Sequence, residues 1–161
     1  MISDNLTKKV NEQIKEELES AYLYLAMSAY CESKNFSGFA HWLKEQAKKE
    51  QGHALKLYGH LLERGGLVEL KAISAPPKEF GSPRELFEQV LVHEQKITAL
   101  IRTLYEVAKE EKDYPLEMFL QWFINEQVEE EASATKIVET LKMIDNKAQG
   151  LIMLDRELAR R

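Results

Sequence analysis

Six side chains carry the chemistry this sequence offers: Glu17, Glu50 and His53 in Glu50-x-x-His53, Glu94, and Gln127 and Glu130 in Gln127-x-x-Glu130. Residues three apart in a helix lie one turn from each other on the same face. All six fall inside apolar runs that recur in steps of three and four, so each lies on a face that a helix buries. Glutamate is almost never fully buried without a partner, because an unpaired buried ion costs on the order of several kcal/mol. A multivalent cation would satisfy carboxylate and imidazole together. A lone Glu-x-x-His is an unspecific signal, and its weight here comes from the same anomaly recurring at one depth in four helical stripes.

The elements that must position these residues follow from the periodicity. The first helix begins among the capping residues Ser3 to Asn5 and runs to about Lys34, before Asn35. Its stripe is Leu6, Val10, Gln13, Glu17, Ala21, Tyr24, Ser28 and Cys31. A second stripe, Leu18, Tyr22, Leu25 and Ala29, makes another face apolar and predicts burial against another subunit. The second helix runs from about Phe36 to Arg64 through Phe39, Leu43, Gln46, Glu50, His53 and Leu57, and stops at Gly65-Gly66.

Residues 65–82, with Pro76-Pro77 and Gly81-Ser82-Pro83, are too irregular for a helix. A helix of about 28 residues is roughly 42 Å long, and about 17 extended residues reach roughly 56 Å. The segment can therefore return along a whole bundle. A third helix starts after Ser82-Pro83 and continues to about Lys112, with Phe87, Val90, Glu94, Ile97, Ile101, Leu104 and Ala108 in its stripe. The short Asp113-Tyr114-Pro115 turn sets the fourth helix antiparallel to the third. Its stripe is Leu116, Leu120, Phe123, Gln127, Glu130, Ala134, Ile137, Leu141 and Ile144. A fifth segment, 148–160, is too short to be stable unless it docks. The expectation is an all-α chain forming one domain over 1–161: a four-helix bundle over about 4–145, a long crossover over about 65–82 and a short fifth helix over about 148–160.

Composition narrows the partners. A length of 161 residues suits one domain, and the net charge of -5 with no basic cluster argues against nucleic acid. The single cysteine, Cys31, has no internal disulfide partner, and the start Met1-Ile2-Ser3-Asp4-Asn5 lacks the features of a signal peptide, so a cytoplasmic location is expected. No apolar run approaches the roughly 20 residues that cross a bilayer. His41, His60 and His93 receive no metal role, His93 because it points about 100° away from Glu94 around its helix. Trp42 and Trp122 are read as packing residues.

Folding such a bundle brings Glu17, Glu50, His53, Glu94, Gln127 and Glu130 to one level of the core. Two divalent cations would balance the four carboxylates. Without metal, some of these glutamates would hold protons that binding releases. A set of carboxylate oxygens with one imidazole and no thiolate suits iron or manganese better than structural zinc. Glutamates from two helices with paired motifs from the other two is the arrangement of ferritin-like di-iron bundles.

At these residues the chain resembles the non-haem ferritins of bacteria and archaea. The resemblance extends to Ala21-Tyr22-Leu23-Tyr24-Leu25, Glu63-Arg64-Gly65-Gly66, Phe119-Leu120-Gln121-Trp122-Phe123 and Glu126-Gln127-Val128-Glu129-Glu130-Glu131, and covers essentially the whole chain. Gln127-x-x-Glu130 stands where haem-containing relatives carry Glu-x-x-His, and Gln51 where they carry a haem-ligating methionine, so no haem is expected. The resemblance implies that Glu17, Glu50 and His53 hold one iron, that Glu94 and Glu130 hold a second, and that Glu50 bridges them. It places Gln127 beside the ligands or at the oxygen site, and Tyr24 next to the centre as a hydrogen-bond donor to a ligand and a possible electron source. Glu126 and Glu129 match a third iron site beside Glu130. Lys49 stands where a glutamate would complete that site, and a fixed ammonium repels a cation, so the third site is expected to be weak, altered or absent.

The function implied is iron storage with ferroxidase activity. Two Fe(II) ions are oxidised by dioxygen and stored as ferric oxyhydroxide inside a shell of 24 subunits with octahedral symmetry. The alternative in the same superfamily is a di-iron oxidase or peroxidase without mineral storage, although one cysteine excludes a cysteine-rich second iron site. A shell with a vestigial centre is the non-enzymatic alternative.

Overall fold

The computed structural model describes residues 1–161 as five helices and no strands: α1 Asp4–Ser33, α2 Ser37–Glu63, α3 Pro83–Glu110, α4 Tyr114–Ile144 and α5 Ala148–Leu158. Helices α1 and α2 pack along each other, as do α3 and α4, and α1 also packs on α3. The start of α1 is set by the Ser3 side chain, which accepts from the Leu6 amide. A full capping box starts α3: Ser82 accepts from the Glu85 amide, Glu85 accepts in return from the Ser82 amide, and Pro83 fills the first turn. The breaks between helices fall on left-handed residues, with φ +64° at Asn35, +75° at Gly65 and +51° at Asp145. Each expected helix forms, with ends displaced by a few residues at most.

The crossover has no regular secondary structure, yet polar side chains of α1 hold it along its length. Asn11 donates to the Leu67 carbonyl at 2.8 Å and accepts from the Glu69 amide at 2.8 Å. Glu19 accepts from the Ser74 amide at 2.7 Å, and Tyr30 donates to the Gly81 carbonyl at 2.8 Å. These bonds satisfy backbone groups that no ladder or helix could. At one end of the bundle Arg64 pairs in bidentate fashion with Asp113 at 2.8 and 2.9 Å, and Asp113 also caps α4 through the Leu116 amide.

Helix α5 docks on α2 and α4. Asp155 accepts from the Phe39 amide at 2.9 Å, which satisfies a free donor in the first turn of α2. The helices approach so closely at Gly38 that a Cβ there would lie 1.7 Å from the Asp155 carbonyl oxygen.

The apolar core is divided into two clusters. One gathers Tyr24, Phe39, Leu43, Phe87, Val90 and Leu141 at one end of the bundle, and the other gathers Leu6, Val10, Leu57, Ile101, Leu116 and Phe123 at the opposite end. The six polar residues singled out by the periodicity separate them. No helix is long and apolar enough to cross a membrane.

Candidate metal centre

The polar layer is dry. Glu17 and Glu50 are fully buried, and His53, Glu94, Gln127 and Glu130 are buried almost as completely. Two sets of three ligands arise among them: Glu17, Glu50 and His53, and Glu50, Glu94 and Glu130, each with ligand atoms within 4.8 Å of one another. Glu50 belongs to both. Within the layer His53 Nδ1 lies 3.1 Å from Glu50 Oε2 and 3.7 Å from Glu17 Oε2. Two buried polar atoms, Glu17 Oε2 and His53 Nε2, have no hydrogen-bond partner. Orphaned atoms of this kind, converging from separate helices, are ones that a hard or borderline divalent cation can satisfy once the imidazole gives up its proton.

Supporting bonds orient each carboxylate. Tyr24 donates to Glu94 Oε1 at 2.5 Å, and Gln127 donates to Glu94 Oε2 at 3.1 Å. Gln13 donates to Glu17 Oε1 at 3.0 Å. Gln46 donates to both Glu50 Oε1 at 2.8 Å and Glu130 Oε2 at 2.7 Å. The His53 ring meets Trp122 and Phe123 edge to face at 5.5 and 5.8 Å. Trp122 is half exposed rather than part of the core, with the Lys56 ammonium 3.7 Å from its ring centroid. It forms a wall between the site and water, whereas Trp42 is buried as expected.

The charges respond to burial. Loss of water raises the carboxyl of Glu50 above the usual carboxylate range, and the neighbouring charge of Glu17 adds to the rise. Glu94 is raised by burial and then by the charges of Glu50 and Glu130. Burial works against the cationic form of His53, but the nearby carboxylate of Glu17 and the hydrogen bond to Glu50 outweigh it and hold the ring up to about 10. Without a metal, protons thus do part of the neutralising.

Lys49 does the rest. Its ammonium lies 2.6 Å from Glu126 Oε1 and 2.5 Å from Glu130 Oε1. His53, Glu126 and Glu130 form a third set of converging ligands, and Lys49 is inserted between two of its members. The sequence suggested a neighbour that repels a cation; the side chain instead occupies the cation's place. Glu129, the other candidate for this site, is exposed and belongs to none of the three sets. Gln13 and Gln46 are functional residues that the sequence reasoning misses, and their place in core stripes is the signal that points to them.

The remaining histidines stay apart from the sets. His93 Nε2 lies 2.7 Å from Ser20 Oγ and is lowered to about 4 by burial and then by Lys96, so it is neutral. His60 stacks on Phe119 with ring centroids 4.0 Å apart.

The sequence pattern of the ferritin-like domain matches residues 7–144. The chain belongs to the ferritin family. It is 42% identical over 161 residues, the full length of both chains, to a bacterial non-heme ferritin of Bacteroides fragilis. The corresponding ferritin of Staphylococcus aureus is 38% identical, with 100% of this chain and 97% of the relative covered. A solved structure described as an open pore ferritin from the hyperthermophilic archaeon Archaeoglobus fulgidus superposes with a TM-score of 0.99 at 45% identity, covering 100% of this chain and 99% of that one. A form of the same archaeal ferritin, engineered to be closed, gives the same TM-score and identity. The likeness spans all five helices of this ferritin.

Proposed function

We propose that this ferritin, one domain over residues 1–161, stores iron and oxidises it as a ferroxidase. The observation that carries this reading is Glu50, a fully buried carboxylate shared by two three-ligand sets whose other members come from all four bundle helices. Fe(II) is the substrate. Glu17, Glu50 and His53 receive one ion, Glu94 and Glu130 the other, and Glu50 lies between them. Each Fe(II) gives up one electron; dioxygen accepts both, with two protons, and leaves as hydrogen peroxide, after which the ferric ions hydrolyse to oxyhydroxide. Four converging carboxylates favour the higher charge of the ferric product, and the apolar clusters above and below exclude water. Tyr24 and Gln127 hold Glu94 in place during exchange of protons for metal.

Two iron ions per subunit follow from the two sets, with Lys49 closing the third. The mineral would form within a shell of 24 subunits in octahedral symmetry. The exposed apolar side chains Tyr22 and Leu25 on α1, Leu67 and Leu70 on the crossover, and Ile152 and Met153 on α5 support assembly, since each would be covered by a neighbour. The reading includes no haem and a cytoplasmic location.

Anaerobic Fe(II) titration of the apoprotein tests it and should count two tight sites per chain. Glu130→Ala should slow aerobic Fe(II) oxidation at least about tenfold while the assembly elutes unchanged. Oxidation at the parental rate would remove the site assignment. A protein that oxidises Fe(II) but retains no ferric mineral would be the oxidase without storage.

A further inference from the structure

We infer that Arg161 positions the carboxylates of Glu50 and Glu130 by locking the amide of Gln46, an inference that rests on the proposed metal centre. After α5 the chain returns to α2, where the Arg161 guanidinium lies 4.4 Å from the Trp42 ring centroid. Its Nη1 donates to the Trp42 carbonyl at 2.9 Å and its Nη2 to Gln46 Oε1 at 2.7 Å. Residue 161 as a whole is exposed, but this end of its side chain is partly withdrawn from water against α2. Gln46 is buried, and its Nε2 gives one hydrogen each to Glu50 Oε1 and Glu130 Oε2. The amide therefore spans from the guanidinium to two carboxylates on different helices, Glu50 on α2 and Glu130 on α4.

Donor and acceptor chemistry leaves the amide one orientation. A guanidinium has five donors and no acceptor, so only the amide oxygen can face it. Carboxylates that hold a metal ion are ionised and accept only, so in the loaded centre the amide nitrogen must face them. A flipped Gln46 would set donor against donor at Arg161 and oxygen against oxygen at both glutamates. Arg161 thereby enforces an arrangement in which Glu50 and Glu130 keep one oxygen each on Gln46. The two carboxylates are members of the same three-ligand set with Glu94. The relay also ties the docking of α5, through residues that follow it, to the geometry of the centre.

The direction of the effect separates this role from a purely electrostatic one. Arg161 is a cation near Glu50 and Glu130, so by Coulomb attraction alone its removal would tighten cation binding. As a positioning residue, its removal frees Gln46 and weakens binding. Groups that orient metal ligands typically contribute about 10–100-fold in affinity, and Arg161, acting through one intermediary, is placed at about tenfold.

The assembled apoprotein and its Arg161→Ala, Gln46→Met and double variants are titrated with Co(II), following both affinity and the visible absorption of the bound ion. The parent should bind two Co(II) per chain. Arg161→Ala should bind the ion of the Glu50, Glu94 and Glu130 set about tenfold more weakly, with a shifted absorption band. In the Gln46→Met background the same change should cost nothing further. If Arg161→Ala binds as tightly as the parent or more tightly, with an unchanged band, the relay is refuted while the metal centre stands. An equal loss with or without Gln46 also refutes it, because Arg161 would then act by another route. If the parent binds no Co(II), the metal centre fails and the relay with it.

Discussion

Lys49→Glu reverses the one positive charge that enters the polar layer from its edge. Lys49 Nζ lies 2.6 Å from Glu126 Oε1 and 2.5 Å from Glu130 Oε1, so the variant loses two ion pairs and gains two like-charge contacts. The lysine side chain is 36% exposed, and its pairs are partly screened. Each is counted at about 1 kcal/mol, the upper end for solvent-exposed pairs. With repulsion of similar size, the metal-free variant should be about 2–4 kcal/mol less stable than the parent. At about 2–4 °C per kcal/mol for a chain of this size, melting should fall by roughly 5–15 °C. The new carboxylate, Glu126, Glu130 and His53 would then make a four-ligand set open to a divalent ion. Anaerobic Fe(II) titration should count three tight sites per chain where the parent shows two. Saturating Mn(II) should return most of the lost melting temperature, since a ligand at about 100 times its Kd adds about 2.7 kcal/mol. Three sites in the parent, or two in both proteins with equal melting, would refute the view that Lys49 is a tethered cation standing in for a metal.

Three further outcomes are expected. Tyr24→Phe removes the 2.5 Å donor to Glu94; stability of the apoprotein should fall by about 1–3 kcal/mol, and stopped-flow oxidation should slow while the Fe(II) count stays at the parental value. For pH, the polar layer binds more protons in the folded chain than in the unfolded one, since Glu50 and Glu94 are raised above 4.5 and His53 is raised to about 10, which outweighs the opposite shift of His93 to about 4. The carboxyl contribution is therefore lost as pH rises above about 4.5, and that of His53 as pH passes through about 10, so chemical denaturation of the apoprotein should show lower stability at about pH 9 than at about pH 5. Metal should abolish most of this slope and release protons measurable by calorimetry in buffers of different ionisation heat. Gly38→Ala would place a methyl 1.7 Å from the Asp155 carbonyl oxygen and displace α5 from the start of α2. It should cost at least about 1–3 kcal/mol, with faster proteolysis between α4 and α5.

What was legible in the sequence, and what was not, divides by the range of the interaction. The start of α3 is written in Ser82, Pro83 and Glu85 because a capping box is made by residues three apart. The inward direction of Glu17, Glu50, Glu94 and Glu130 follows from helical periodicity, and the buried layer agrees with it. By contrast, Asn11, Glu19 and Tyr30 carry no local sign that they hold the crossover, since their partners lie more than 50 residues away. Trp122 has the residue type of a packing position, but an aromatic residue next to a stripe residue, about 100° around the helix from Phe123, can equally wall a site at the surface. Lys49 was recognisable as a cation near the site. Its insertion between Glu126 and Glu130 depends on how α2 sets against α4, which no spacing within either helix reveals.

That dependence explains how a bundle tolerates four buried carboxylates before any metal arrives. The two apolar clusters set the helices in register whatever the polar layer contains, so the acids meet because the rest of the core requires it. Raised carboxyls on Glu50 and Glu94, an imidazolium at His53 and the ammonium of Lys49 supply positive charge or remove negative charge at the same level. Iron therefore enters by exchange rather than into open charge: protons leave the shared sets, and Lys49 must withdraw from Glu130 Oε1 if that oxygen is to bind. Affinity then rises with pH because proton competition weakens, while competition from Lys49 stays constant until its own ammonium titrates. A metal affinity independent of pH between about 6 and 8 would be incompatible with proton exchange in the layer.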